Sequence, residues 1–257
     1  MRTVRLTIAY DGTEFEGWQL QRPEQRTVQG AIETALTKLS GLPLRPTAAG
    51  RTDAGVHALG QVLSVALPDG VDLPPKAFVY GVNRALPGDV AVLAAAEATP
   101  GFDARRDSRG KHYRYQLYNR NTRHPLLRHT HWVVFEKLCA DAMREAAAHF
   151  VGLHDFAAFR AADCQSRTSV RRLHKVGVEA GPDGELNIDV EGTAFLKHMV
   201  RTLVGTLVDV GAGRRRPTDM PRLLTDRDRT RAGRTAPAHG LTLMRVRYEE
   251  GPVTPAG

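Results

Sequence analysis

The chain has 257 residues, of which 42% are hydrophobic and 25% charged, and its 36 Lys and Arg outnumber its 28 Asp and Glu to leave a formal net charge of +8. That length can bury a sizeable core in one large domain or in two of about 100–150 residues. Two cysteines without a C-x-x-C pair argue against a disulfide framework or zinc cluster, and no stretch approaches the ~20 apolar residues of a membrane span. The N-terminus runs straight into an alternating pattern without an apolar signal core, so a cytoplasmic protein is expected. The excess cation is mainly arginine, which meets phosphate as a planar fork and points to a polyanionic partner.

Val4, Leu6, Ile8 and Tyr10 alternate with polar or small residues, the period of a half-buried strand that ends at Asp11-Gly12. Thr27 then caps a helix whose apolar positions Val28, Ala31, Ile32, Ala35, Leu36 and Leu39 recur at three- and four-residue steps. After the stretch Ala48–Gln61 comes a strand from Gln61 to Leu67 with apolar residues on both faces, which predicts cover on both sides. Pro74-Pro75 opens a helix to about Ala85, and Val90–Ala96 reads as a buried strand.

A basic segment around Arg105, Arg106 and Arg109 leads into a strand from Lys111 to Asn119, with Tyr113, Tyr115 and Leu117 on one face and Arg114, Gln116 and Tyr118 on the other. The cluster from Asn119 to Pro125 is a candidate crossing between two halves. Leu138 to Phe150 carries a helical pattern, His154 to Phe159 an aromatic turn, and residues 176–190 an antiparallel hairpin around Gly181-Pro182-Asp183-Gly184. A strong apolar stripe predicts a helix over Phe195–Val210, with Lys197, His198 and Arg201 off the stripe. A short helix to about Leu224, a basic stretch and a strand from Leu241 to Tyr248 follow. These readings divide the chain into residues 1–107, residues 108–248 and a disordered tail over 249–257.

The chemistry-bearing stretch is Gly50-Arg51-Thr52-Asp53-Ala54-Gly55-Val56-His57, a small polar loop with one acid beside one arginine. Asp53 is the candidate reactive group; the bland alternative is an Arg-Asp pair stapling a turn. Net charge, several arginine clusters and tyrosines interleaved with cations at Lys111–Tyr118 support RNA or DNA binding, although Tyr113 and Tyr115 also suit plain strand packing. His124, His129 and His131 lack a supporting acid or cysteine at ligand spacing, so no metal is expected there. No P-loop and no dinucleotide glycine fingerprint occurs, and no nucleotide cofactor is expected. A single carboxylate argues against ordinary glycoside hydrolysis.

Read together, Tyr10-Asp11-Gly12-Thr13-Glu14-Phe15-Glu16-Gly17-Trp18-Gln19, Thr27-Val28-Gln29-Gly30, Gly50–Ala58, Tyr113-Arg114-Tyr115 with Asn119, Asp155-Phe156 through Phe159-Arg160, and Phe195-Leu196 through Val204-Gly205 resemble the tRNA pseudouridine synthases of the TruA type. The resemblance spans nearly the whole chain. It implies an α/β (α+β) pseudouridine-synthase fold: two similar halves sharing an extended mixed sheet flanked by helices, with a basic central cleft. It also implies a cytoplasmic homodimer that isomerises uridine to pseudouridine at about positions 38–40 of the tRNA anticodon stem-loop, without cofactor or metal.

Residue by residue, the resemblance assigns Asp53 the catalytic carboxylate, as nucleophile at sugar or base or as the group that removes a sugar proton. It gives Arg201 the place beside that acid, Tyr113 the target base, Arg51 the gap left by the flipped nucleotide, and His57 a substrate-binding position. Arg105, Arg106, Arg171, Arg172, Arg214 and Arg215 are expected to hold tRNA phosphates. The rival readings are a catalytically silent RNA-binding or chaperone protein on the same scaffold and a base-removing glycosylase.

Overall fold

The computed structural model describes residues 2–22 and 24–249, and among these the chain forms ten β-strands and five α-helices, a mixed α/β fold. The expected disordered tail therefore falls, apart from Glu249, outside the described residues. The chain divides into two compact units: the described residues of Met1–Arg109 with Leu243–Gly257, and Gly110–Thr242. No helix of the described residues is long and apolar enough to cross a membrane.

In the first unit, strand β1 (Arg2–Tyr10) sends Val4, Leu6, Ile8 and Tyr10 into the core at every second position, as the alternation predicts. Helix α1 (Val28–Ser40) follows, capped by the Thr27 hydroxyl, which accepts from the Gly30 amide at 3.2 Å. The two-residue β2 (Thr47–Ala48) pairs antiparallel with β3 (His57–Leu67), and β3 pairs antiparallel with β1 from Arg2↔Leu67 to Tyr10↔Ala58.

Strand β3 begins four residues earlier than the sequence pattern suggests, because Gly60 does not break it. The backbone of Met244 and Arg245 lies so near that a Cβ there would sit 2.5 Å from the Met244 carbonyl oxygen. Helix α2 (Pro75–Ala85) buries Phe78 and Val82 and leads to β4 (Val90–Glu97), antiparallel to β1. Asn83 locks the two together: its amide donates to the Val92 carbonyl at 2.8 Å and accepts from the Val92 amide at 2.7 Å.

In the second unit β5 (Gly110–Asn119) buries Tyr113, Tyr115 and Leu117, the face the sequence pattern selects. A three-residue strand that the pattern does not reveal, β6 (Trp132–Val134), runs parallel to its end. After α3 (Ala140–Ala148) the strands β7 (Gly152–Asp155), β8 (Val170–Ala180) and β9 (Glu185–Gly192) complete the order β5-β9-β8-β7, each neighbour antiparallel. The stretch 119–125 lies wholly inside this unit.

Helix α4 (Met199–Gly211) starts one turn later than predicted. His198 takes a left-handed conformation, φ 63°, so Phe195–His198 turns instead of coiling. A short helix, α5 (Met220–Asp226), and β10 (Leu241–Arg247) close the fold, with β10 passing out of the second unit after Thr242.

The polar face of β5 and β9 holds a charge cluster. Asp189, 3% exposed, accepts from Arg114 Nε at 3.0 Å and Nη2 at 3.1 Å and sits 2.6 Å from His112 Nε2. Burial pushes the Asp189 carboxyl up, but the hydrogen bonds of Arg114 and His112 outweigh it and hold the group below its ordinary value. A depressed value means stability present above the ordinary carboxylate range and lost as pH falls through the folded value. Asp189→Asn is therefore expected to lower unfolding free energy by about 2 kcal/mol near neutral pH and to flatten the acid limb of stability. Urea titrations at a series of pH values check both.

Candidate active site

The loop that carries Asp53 is held by buried hydrogen bonds rather than by its own glycines alone. Thr52, 7% exposed, shares a 2.8 Å hydrogen bond with the Tyr10 hydroxyl at the end of β1, and its carbonyl accepts from the Trp18 amide at 3.1 Å. The fully buried Gln61 donates its side-chain amide to the Gly50 carbonyl at 2.8 Å. On the other side the Gly55 amide reaches the Phe15 carbonyl at 3.3 Å, and Val56 N–H closes the turn on the Asp53 carbonyl at 3.2 Å. Gly17 makes this fit possible: its φ of 92° suits glycine, and a Cβ there would lie 2.9 Å from the Thr52 carbonyl oxygen. The backbone on either side of Asp53 is thus fixed, while its side chain is half-buried and that of Arg51 is exposed.

His57 is spent on the same frame. It is 6% exposed, and its Nδ1 lies 3.0 Å from the Gly12 amide and 3.1 Å from Asp11 Oδ1. The Tyr10 phenol is pushed up to about 12, chiefly by burial, with its hydrogen bonds to Thr52 and Gln61 pulling the other way.

In the second unit Tyr113 is buried on β5 and packs edge-on against Phe195, ring centres 5.1 Å apart. Arg201 occupies the first turn of α4, half-buried, and is tied twice to one residue: its Nε donates to the Ala236 carbonyl at 2.8 Å and its own carbonyl accepts from the Ala236 amide at 3.1 Å. The segment 229–237 lies against α4 because Gly205 has no side chain; a Cβ there would strike the Arg234 carbonyl oxygen. Thr206 adds a bond from the Gly233 amide at 2.9 Å. The Tyr115 hydroxyl donates to the Pro237 carbonyl at 2.8 Å, and Arg234 stacks over Trp132 at 4.6 Å. Part of the basic stretch that reads in the sequence as free cation is therefore structural.

A family model described as tRNA pseudouridine synthase matches residues 6–105 and 146–249. The chain belongs to the tRNA pseudouridine synthase family. It is 51% identical to a tRNA pseudouridine synthase A of Myxococcus xanthus, with 100% of this chain and 97% of that protein covered. It is 52% identical to the tRNA pseudouridine synthase A of Pelobacter propionicus, covering 96% and 100%. Among solved structures, one of a Cbf5-Nop10-Gar1 complex overlaps 93% of this chain and 57% of that chain at 12% identity with a TM-score of 0.37. As a tRNA pseudouridine synthase the protein is an isomerase that converts uridine to pseudouridine in tRNA, and the mixed α/β class expected from the resemblance is the one observed.

For a pseudouridine synthase the arginines divide into two kinds. The amides of Arg105 and Arg106 both donate to Asp103 Oδ1, at 2.9 and 2.8 Å, which sets an exposed basic turn; the Arg106 side chain is also drawn to Asp107 at 3.1 Å. Arg172 is exposed on β8. Arg171 instead donates to the Val170 carbonyl at 2.6 Å, its Nε is buried without a hydrogen-bond partner among the described residues, and burial lowers its pKa. Arg214 and Arg215 both bind Asp209, at 3.1 and 3.3 Å, and Arg214 also pairs with Glu136. The sequence missed the Tyr10–Thr52 and Gln61–Gly50 contacts because nothing local marks residues 42 and 11 positions apart as partners.

The raised Tyr10 value yields a test with a definite sign. The fold favours the neutral phenol, so its contribution is complete below the ordinary value of 10.0 and is lost as pH climbs from about 10 to about 12. Tyr10→Phe should cost about 1 kcal/mol at neutral pH by orphaning the Thr52 hydroxyl, and should show a shallower alkaline loss than the native chain in paired unfolding curves.

Proposed function

We propose that Asp53 is the catalytic carboxylate with which this synthase isomerises uridine at about positions 38–40 of the tRNA anticodon stem-loop. The observation that carries the reading is a half-buried acid on a loop whose flanking backbone is pinned by Tyr10, Trp18 and Phe15, inside a chain of this family. A fixed backbone limits how far the carboxylate drifts from a reacting sugar, which is where positional catalysis gains.

The reaction breaks the C1′–N1 bond, turns the uracil and rejoins it through C5. No atom is lost overall and no external oxidant or reductant is needed: the electron pair left on the uracil when C1′–N1 breaks becomes available for the new C1′–C5 bond, the C5 proton then leaves, and N1 takes up a proton. An ionised carboxylate can act in this sequence as nucleophile at the sugar or base, or as base toward a sugar proton. Arg201 serves as the cation that favours the charged form, Tyr113 as the ring against the target base, and Arg51 as the side chain that occupies the space of the extruded nucleotide. Exposed Arg105, Arg106 and Arg172 supply phosphate contacts, joined by Arg171, Arg214 and Arg215 to the extent that their protein partners release them. The working unit is a homodimer in the cytoplasm, a reading supported by family membership.

Incubation of the purified chain with unmodified tRNA, read by carbodiimide adduct mapping, should place pseudouridine at about positions 38–40; free uracil or unchanged RNA would rule the reading out. Asp53→Asn keeps nearly the same shape and loses the charge. It is expected to lower the rate roughly 10²–10⁴-fold or more while leaving tRNA affinity within about threefold of native. Turnover retained in that variant would take the role away from Asp53.

A further inference from the structure

We infer that a groove on the second unit is a binding site for one unpaired nucleotide of the RNA substrate, its base stacked on Phe135; this rests on the RNA-binding reading above. The groove, of about 400 Å³, is lined by Asn119, Arg120, Asn121, Thr122, Phe135 and Lys137. Its size lies in the range of small-ligand sites. Phe135 is 57% exposed although it is a large apolar ring, and it directly follows β6.

The ring is held out by a built frame. Asn119, the last residue of β5, donates its side-chain amide to the carbonyls of Val134 and Glu136, both at 2.7 Å, and accepts from the Leu138 amide at 3.1 Å. One side chain therefore fixes the backbone immediately before and after Phe135. An exposed aromatic on a stiff backbone loses little further freedom when a flat partner covers it.

The surroundings select the partner. Lys137 is exposed and has no ion pair among the described residues. Arg120 donates Nε to the Asp183 carbonyl at 2.7 Å, which aims its guanidinium, and its Nη2 stands 3.7 Å from the Asp183 carboxylate, itself open to solvent. Glu136, the acid between Phe135 and Lys137, is taken up by Arg214. Asn121 and Thr122 offer donors and acceptors to a base edge. Of six lining residues only Phe135 is apolar. A protein partner would favour a contiguous apolar patch, whereas one ring among cations and amides matches a single-stranded nucleotide.

The test compares Phe135→Ala, Phe135→Trp and Lys137→Ala in the full chain by direct binding of unmodified tRNA, at several salt concentrations, beside sedimentation and turnover at saturating tRNA. Phe135→Ala should weaken tRNA binding about tenfold with native turnover at saturation, and Phe135→Trp should bind within about twofold of native. Lys137→Ala should flatten the salt dependence by about one phosphate contact. Unchanged affinity in Phe135→Ala, or an equal loss in Phe135→Trp, overturns the proposal. A smaller sedimenting species for Phe135→Ala also overturns it, by assigning the ring to a second copy of the chain. Because affinity is measured without product, a native chain that makes no pseudouridine yet loses tRNA affinity in Phe135→Ala would sink the proposed reaction and leave this site standing.

Discussion

The hydrogen bond between the Tyr10 hydroxyl and Thr52 Oγ1 joins the first strand of the chain to the loop that carries its candidate catalytic acid. Loops are ordinarily the parts of a domain with the lowest local stability. Here that bond is buried, and the neighbouring bonds from Trp18 to Thr52 and from Gln61 to Gly50 leave the loop backbone little room to move. An acid presented this way draws its precision from the sheet beneath it. The charge need not be balanced inside the loop, and the side chain stays half-exposed where a substrate can meet it.

The second unit uses the same logic with different parts. A left-handed residue, His198, ends the approach to α4 and sets where the helix begins, so that Arg201 falls in its first turn. The segment 229–237 is then fastened along the helix through Ala236, Gly233 and the missing side chain of Gly205. Two short loops, each governed by a tight backbone approach, therefore position the residues that the family resemblance singles out.

Long periodic elements were legible in the sequence: β1, α1, β5 and the hairpin of β8 and β9 follow directly from the spacing of their apolar residues. The start of α4 was not, because the apolar stripe continues through Phe195 and Leu196 although the backbone there turns, and only the conformation of His198 breaks it. Strand β6 is too short for a two-residue period to register. Asp53, Tyr113 and Arg201 could be picked out as motif residues. What fixes them in place could not, since hydrogen bonds such as Tyr10 to Thr52 and Tyr115 to Pro237 join positions 42 and 122 residues apart. The ion pairs of Arg214 and Arg215 were equally invisible, and they change those residues from free cations to paired ones.

The described residues of the first unit come from two separated pieces of sequence, since Leu243–Glu249 groups with the stretch that ends at Arg109. There Tyr248 donates its hydroxyl to the Ala104 carbonyl at 2.6 Å and tilts against Phe102, beside a small core of Ala49, Val62 and Ala104. A chain emerging from the ribosome can close its second unit from one uninterrupted stretch, but the half that carries the acid must wait for the segment from Leu243 to Glu249. The loop that carries Asp53 therefore precedes in the chain, by nearly two hundred residues, the strand end that completes its unit, which ties the walling-in of the candidate site to a segment made much later.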